Sequence, residues 1–428
     1  MSQPPHPGRH RAHDHTPPAR PPRPARPARP AGRGRRERRA VALLTSATAV
    51  LCGLIAAPAT ATTTTATATA TGGDGHTAGE LRERLERLVR TAGGPPGAIA
   101  VLQRGGKRHV VRAGVAELGT ERQPRPTDHI RLASTAKMFS GAVSLRLVDQ
   151  GRLRLDATIG EVLPHLPAAW HEVTLRQLLS HTSGLPDFSQ SPEFVEFVTS
   201  DPRRVVDSRR LLDFVADEPL LFPPGTRYAY SNSDNITVAL MAEAATGRRY
   251  EDLLRRLVNR PLALRDTSLP AGAALPEPYL HGYDVSSPDR PEDVSEAISA
   301  SFSWASGGIV STPADLNRFI RGYAGGRLVS DATRREQLTF VEGAASSPPG
   351  PGVNAGGLAI YRYTTRCGVV YGHTGNTPGY TQLAVATEDG KRSMTFSLTA
   401  QISERSPELL AQVRTVQEDF VCALLDDR

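Results

Sequence analysis

Ser134 and Lys137 stand three residues apart at the head of an apolar run that includes Met138, Phe139, Ala142, Val143, Leu145, Leu147 and Val148 and closes on Gly151. This density of apolar positions predicts a buried helix, with Gly151 supplying a left-handed C-cap. The spacing puts hydroxyl and amine on one face of the first turn. There the hydroxyl meets unsatisfied backbone N–H groups and the positive end of the helix dipole, and the amine is placed to take its proton. A weak nucleophile, an adjacent base and an amide cradle for an oxyanion predict acyl transfer through serine. A serine at a helix start is more often only an N-cap, but composition favours chemistry. The chain holds three lysines (Lys107, Lys137, Lys391) among 51 basic residues. Lys107 and Lys391 fall in Gly-flanked turns, whereas Lys137 is set among apolar residues. Burial there lowers an amine's pKa, and arginine could not serve instead because its guanidinium stays protonated.

The 428-residue chain has a formal net charge of +7. Residues 1–59 hold 11 arginines against Asp14 and Glu37, a surplus of nine, which leaves residues 60–428 at −2. The basic character belongs to the leader, so nucleic-acid binding by the folded part is not expected. Residues 1–39 are rich in Pro, Arg and His and predict a disordered basic leader. Residues 40–59 follow Arg35-Arg36-Glu37-Arg38-Arg39 with an uncharged apolar run that ends in small residues. That order describes an export signal cleaved near residues 57–61, with an uncleaved membrane anchor as the alternative. Paired arginines leave the twin-arginine and general secretory routes both open. Residues 60–78 read as an Ala/Thr/Gly-rich tether. A secreted chain keeps Cys367 and Cys422, and an even pair outside the cytoplasm predicts one disulfide.

The chemistry-bearing residues need a frame. Leu81, Leu85, Leu88 and Val89 form a helical stripe that Gly93-Gly94-Pro95-Pro96 stops. Residues 98–103 and 109–113 flank the Arg104-Gly-Gly-Lys107 turn as a hairpin. The stretch 150–297 is strand-poor, with helical patterns over 173–180, 208–216, 237–246 and 250–258. From 298 the pattern changes again. Thr312-Pro313 opens a helix, 343–357 is a Gly/Pro/Ser loop, and strands are expected over 358–363, 369–372 with 379–387, and 393–398. Residues 407–425 close the chain as a helix. The order predicts an α+β fold: an antiparallel sheet flanked by helices, built from residues 79–149 and 298–428, with an inserted all-helical lobe over 150–297. The junction would leave a cleft.

Two further stretches supply polar groups. Tyr230-Ser-Asn232 lies in a polar loop between helices, and His373-Thr374-Gly375-Asn376 sits at a strand where glycine permits close approach. In the order Ser-x-x-Lys, Tyr-x-Asn, His-Thr-Gly, the chain resembles the penicillin-recognising serine hydrolases over roughly residues 79–425. These are the class C-type β-lactamases and the extracellular serine D-alanyl-D-alanine carboxypeptidases. The segments 178–185 (Leu-Leu-Ser-His-Thr-Ser-Gly-Leu) and 304–312 fit the same pattern. The resemblance implies Ser134 as nucleophile, Lys137 as its deprotonating partner and Tyr230 as proton relay, with Lys137 and Tyr230 both open as the primary base. It implies that Asn232 holds the substrate amide. His373, Thr374 and Gly375 would pair with substrate and bind its carboxylate, and the N–H groups of Ser134 and Asn376 would form the oxyanion hole. Trp304 is expected as a cleft wall, and Arg362 or Arg366 as a carboxylate anchor.

Histidine in the place of the β-lactamase Lys-Thr-Gly lysine resembles the carboxypeptidase branch and related D-amino-acid peptidases. The implied function is an exported D-Ala-D-Ala carboxypeptidase acting on peptidoglycan stem peptides and acylated by β-lactams. A class C-like β-lactamase, a D-amino-acid peptidase or esterase, and a β-lactam or peptidoglycan sensor without turnover stand as alternatives. With an ordinary pKa near 6.5, His373 would give rates a dependence near neutrality. H-E-x-x-H, C-x-x-C, Walker and G-x-S-x-G sequences are absent, so neither metal nor cofactor is expected. His165, His171 and His181 lack ligand spacing and read as surface or scaffold. A monomer is expected.

Overall fold

The computed structural model describes residues 77–287 and 289–426. The basic leader, the export signal and most of the tether lie outside the described residues. Helices that matter below are α1 (Ala78–Arg90), α2 (Lys137–Asp149), α3 (Leu175–Leu179), α4 (Asn232–Thr246), α5 (Tyr250–Leu254), α6 (Pro313–Ala324) and α7 (Pro407–Leu425). The main sheet comprises β1 (Gly97–Arg104), β2 (Lys107–Gly114), β3 (Val341–Glu342), β4 (Val353–Gly356), β5 (Tyr361–Thr365), β6 (Gly368–Thr377), β7 (Tyr380–Ala386) and β8 (Arg392–Leu398).

The two ends of the chain make this sheet together. Its spatial order is β2-β1-β8-β7-β6-β5-β4-β3, with every neighbouring pair antiparallel. The N-terminal hairpin joins the C-terminal strands through β1 and β8, where Ala98 lies opposite Leu398. One face is covered by α1 and α7. α1 starts in a capping box between Thr77 and Glu80 and buries Leu81, Leu85 and Leu88 against the same core as Phe396 and Phe420. The other face carries α6 and, behind it, α2, whose Phe139 stacks on Phe319 with ring centroids 3.6 Å apart. This second core runs on without a break into the helices of 150–297. α2 therefore lies between sheet and lobe, and its N-terminus opens at their junction.

Among the described residues no strand of the main sheet comes from 150–297. That stretch is nonetheless not all helical: Tyr283–Asp284 and Glu292–Asp293 pair as a short ribbon. Side-chain bonds shape it, Asp293 accepting from His281 and Ser295, so no apolar alternation marked it. Residues 208–214 and 255–259 wind as 3-10 and π turns rather than α-helix. The expected loop over 343–357 contains β4, whose ladder to β5 pairs Val353 with Thr364. Cys367 and Cys422 are paired, their Cα atoms 5.1 Å apart, tying the start of β6 to α7. Among the described residues no helix is long and apolar enough to cross a membrane.

Candidate active site

Ser134 sits in a 3-10 turn, Ala133–Ala136, that leads into α2. Ala133 takes the left-handed φ of 49°, a costly conformation for a residue with a Cβ, which turns Ser134 out into the cleft. Lys137 Nζ lies 3.2 Å from Ser134 Oγ and donates to Asn232 Oδ1 at 2.7 Å and to the Ser306 carbonyl at 2.9 Å. The side chain is 1% exposed. Burial pulls its pKa from the ordinary 10.5 to about 7, with Asp187 and Asp234 acting in the opposite direction. Near neutral pH a substantial fraction of this amine is uncharged, as the sequence led one to expect.

Tyr230 precedes α4 and lies beside the amine, its ring centroid 4.9 Å from Lys137 Nζ. Burial holds the phenol well above its usual pKa, while the neighbouring Ser134 hydroxyl works the other way. Among the described residues Tyr230 Oη closes no aligned hydrogen bond, so this buried hydroxyl faces Ser134 with its bonding capacity unused. Behind it His181 packs at 4.6 Å between ring centroids. His181 Nδ1 lies 2.7 Å from Asp234 Oδ2, and Ser183 donates to the same carboxyl. Burial, then Lys137, lowers the His181 pKa to about 3. It is a scaffold residue, as its spacing suggested.

Asn232 begins α4 and is already engaged at both ends of its amide. Besides accepting from Lys137, it donates to Asp187 Oδ2 and Ser189 Oγ, each at 3.0 Å. Asp187 and Ser189 were not singled out in the sequence. Asp187 caps the short turn over 188–190, and an Asp-x-Ser cap looks the same in sequence whether or not it borders a site.

β6 runs directly past the Ser134 turn. A Cβ on Gly375 would come within 2.5 Å of the Leu132 carbonyl oxygen and 3.1 Å of the Thr135 nitrogen, so only glycine permits this approach. The β5 ladder ends at Gly372 opposite Tyr361, which leaves β6 unpaired by β5 from His373 onward. Asn376 and Thr377 line the cleft. His373 and Thr374 do not. His373 is 1% exposed, donates from Nδ1 to the Thr374 carbonyl at 2.5 Å, and meets the edge of Tyr361. Burial and the nearby Lys137 drive its pKa well below 6.5, so the near-neutral titration expected of His373 belongs to Lys137. The Thr374 hydroxyl is taken by Ser346 Oγ and the Pro348 carbonyl, both at 2.7 Å.

A family model described as Beta-lactamase matches residues 81–417. The chain belongs to the beta-lactamase family. Penicillin-binding protein 4* of Bacillus subtilis is 25% identical over 331 residues, 74% of this chain and 71% of the relative. Esterase EstB of Burkholderia gladioli is 29% identical over 345 residues, 69% of this chain and 83% of the relative. A D-stereospecific amidohydrolase from Streptomyces sp. has a similar solved structure, with a TM-score of 0.67 at 28% identity over 77% of this chain and 96% of that one. With Ser134, Lys137 and Tyr230 assembled, the chain is a serine hydrolase of the beta-lactamase family.

Within that family frame, three expected cleft residues are elsewhere. Trp304 is 2% exposed, donates to Glu251 at 2.9 Å and packs edge-on to Tyr250 inside the lobe. Its indole N–H found an acceptor there, and Phe302 and Ser303 form the wall instead. Arg362 is held by Glu342 at 2.7 and 2.9 Å, and Arg366 by Glu418 and Asp419. The cleft, about 140 Å³, is lined by no arginine or lysine among the described residues. It is lined by two carboxylates, Asp187 and Glu404.

Proposed function

We propose that this serine hydrolase cleaves D-aminoacyl amides with a small leaving group, through an ester on Ser134. The observation that carries this reading is the charge of the cleft lining. Among the described residues a substrate carboxylate finds no arginine or lysine in that lining, whereas an α-ammonium finds Glu404. Thr374, the expected carboxylate ligand, is bonded to the 346–348 loop. The likeness to a D-stereospecific amidohydrolase supports the same chirality and reaction here.

The chemistry follows from the protonation states. Neutral Lys137 takes the Ser134 proton as Oγ bonds to the amide carbon, and the N–H groups of Ser134 and Asn376 receive the oxyanion. Tyr230 stays protonated because a phenolate is strongly disfavoured in its buried site. It passes its proton to the departing nitrogen and regains one from Lys137. The C–N bond breaks and ammonia or a small amine leaves; water then gives a proton to Lys137 as it attacks the ester, the acyl bond to Ser134 Oγ breaks, and Lys137 returns the proton to Oγ as the acid is released. Lys137, with a pKa of about 7, suits the role of primary base better than Tyr230.

A second reading, D-Ala-D-Ala carboxypeptidase acting on peptidoglycan stem peptides and trapped by β-lactams, is favoured by the penicillin-binding relative. It requires the 346–348 loop to release Thr374. The test puts D-phenylalanine amide and an N-acyl-D-Ala-D-Ala peptide on one preparation. Ammonia release from the amide with little D-alanine release supports the first reading, and the reverse supports the second. Absence of both, with no adduct on benzylpenicillin in intact-mass analysis, removes both. Export through residues 40–59 belongs to the same proposal; a secreted product whose N-terminus lies near residues 57–61 would bear it out.

A further inference from the structure

To act as a base, Lys137 has to offer Ser134 a lone pair, and a neutral amine carries one lone pair and two N–H groups. Two acceptors stand beside Nζ: Asn232 Oδ1 at 2.7 Å and the Ser306 carbonyl at 2.9 Å. Neither has a proton to give. The Asn232 amide is oriented by Asp187 and Ser189, which accept from its Nδ2. The two N–H groups therefore go to these acceptors, and the lone pair is left for Ser134 Oγ, 3.2 Å away. The direction of the base depends on where the Ser306 carbonyl is held.

Ser306 sits in the short helical turn Trp304–Gly307, and that turn starts from an unfavourable backbone. Trp304 has a φ of 38°, a left-handed value that is a genuine outlier for so bulky a residue. Its carbonyl accepts from Gly308 N at 2.7 Å, and both Ser306 N and Ser306 Oγ donate to the Ser303 carbonyl. A change at Trp304 is thus carried to Ser306 within one turn. The side chain of Trp304 is what holds it there. Its indole N–H donates to Glu251 Oε1 at 2.9 Å, its ring meets the buried Tyr250 with centroids 5.4 Å apart, and Arg209 lies over it at 4.8 Å. Tyr250 and Glu251 begin α5, and neither lines the Ser134 cleft. Packing in the lobe accounts for the contact with Tyr250. It does not account for a left-handed φ two residues before the carbonyl that the base uses.

We propose that Trp304, anchored by Glu251, is a positioning residue for the general base: it keeps the Ser306 carbonyl on Lys137 Nζ and so points the amine's lone pair at Ser134. The inference rests on acyl transfer through Ser134 and Lys137, and holds whether the substrate is an amide or a peptide.

The test compares the full chain with Glu251→Leu, Glu251→Gln and Trp304→Phe. Both Glu251 variants lose the charge that faces Arg209, but only glutamine still accepts from the indole N–H, so their difference isolates that bond. The other titratable groups about the amine, Asp187, Asp234, His181, Tyr230 and His373, are common to all four proteins. The first readout is hydrolysis of p-nitrophenyl acetate against pH, with Ser134→Ala as the blank. The second needs no substrate: with three lysines in the chain, lysine-13Cε NMR follows the Lys137 titration directly, assigned by its loss in Lys137→Arg. Both are read well below each protein's melting temperature.

Glu251→Leu and Trp304→Phe are expected to lower kcat/KM by about tenfold, because a misdirected base loses part of its contribution. A protonated Lys137 that has lost an acceptor in a buried site is less stable, so its midpoint should fall by about half a pH unit or more in both readouts. Glu251→Gln should keep kcat/KM within about threefold of the parent, with its midpoint in place. An unmoved Lys137 midpoint in Trp304→Phe, with activity following the folded fraction, would leave Trp304 a packing residue only. A midpoint that rises toward that of an exposed lysine would make it a barrier to water instead. Glutamine behaving like leucine at 251 would assign the effect to the ion pair with Arg209. Each of these three results overturns the proposal. A parent that leaves the ester intact would count against the Ser134 chemistry, and the NMR titration would still decide the role of Trp304.

Discussion

The two ends of the stretch of β6 that β5 leaves unpaired differ in what occupies them. At His373 and Thr374 the side chains turn to the protein: the ring Nδ1 donates to a backbone carbonyl and the hydroxyl is shared by Ser346 and Pro348. At Asn376 and Thr377 the strand borders open cleft, beside Glu404. One strand thus offers a closed end and an open end beside a carboxylate within a few residues. In the proposed reading a substrate pairing along it meets these ends in turn, and their difference would select against a terminal carboxylate and in favour of an amine.

The largest effect should come from removing the group that both ends serve. Ser134→Ala is expected to abolish turnover and any penicilloyl adduct in intact-mass analysis. Lys137→Arg keeps the charge but cannot give up its proton, and should lower kcat by about 10²–10⁴ with the fold intact by circular dichroism. Full activity in Lys137→Arg would mean that the base lies elsewhere and that the comparison of strand ends says little about chemistry.

The start of β6 gives the next effect. Cys367 joins it to Cys422 on α7 across 55 residues of sequence. Replacing both cysteines by serine should cost about 2–5 kcal/mol of stability in denaturant titrations. Two free thiols per native molecule under non-reducing alkylation would show that no such bridge forms.

What could be read in the sequence was local or strongly periodic. Ser134 and Lys137 were legible because three residues on one helical turn fix their relation, whatever surrounds them. Gly375 was legible because a close approach leaves only one residue type. The sheet's hairpin and α7 declared themselves by turn chemistry and by apolar spacing. Trp304 and Arg362 were misplaced for the opposite reason: each is captured by a carboxylate distant in sequence, Glu251 and Glu342, and no spacing rule reports such a partner. Thr374 failed similarly. Its motif suggested a ligand, but the Ser346–Pro348 loop, which sequence shows only as Gly/Pro/Ser-rich, had taken its hydroxyl. Asp187 stayed hidden inside an ordinary cap.

At the open end, the acidic groups should act on both substrate choice and pH. Glu404→Gln is expected to lower kcat/KM for D-phenylalanine amide by about twofold to fivefold, the scale of one exposed ion pair, and to leave the N-acetyl derivative nearly unchanged. Equal effects on the two would remove Glu404 from amine recognition. Asp187 raises the Lys137 pKa, so Asp187→Asn should let the amine shed its proton at lower pH. The acid limb of the kcat/KM profile then moves down from near 7; a limb that moves up would reverse the assigned sign.

The smallest effect is expected at the closed end, and it separates the two histidine readings. Activity that requires neutral Lys137 rises as pH passes through about 7 and is lost below it, because the protonated amine cannot accept the Ser134 proton. His373 contributes no such limb, since burial keeps its ring neutral across the same range. Its Nδ1–H is committed to the Thr374 carbonyl, so it presents no charge to a substrate. His373→Asn removes the ring but neither adds nor removes charge near Lys137 at neutral pH. The midpoint of the acid limb should therefore stay within about 0.5 pH unit of the parent enzyme, even if kcat falls through looser packing of β6 against Tyr361. A profile that becomes flat between pH 5 and 8 in His373→Asn would make His373 the titrating group and open the closed end of the strand to a substrate carboxylate.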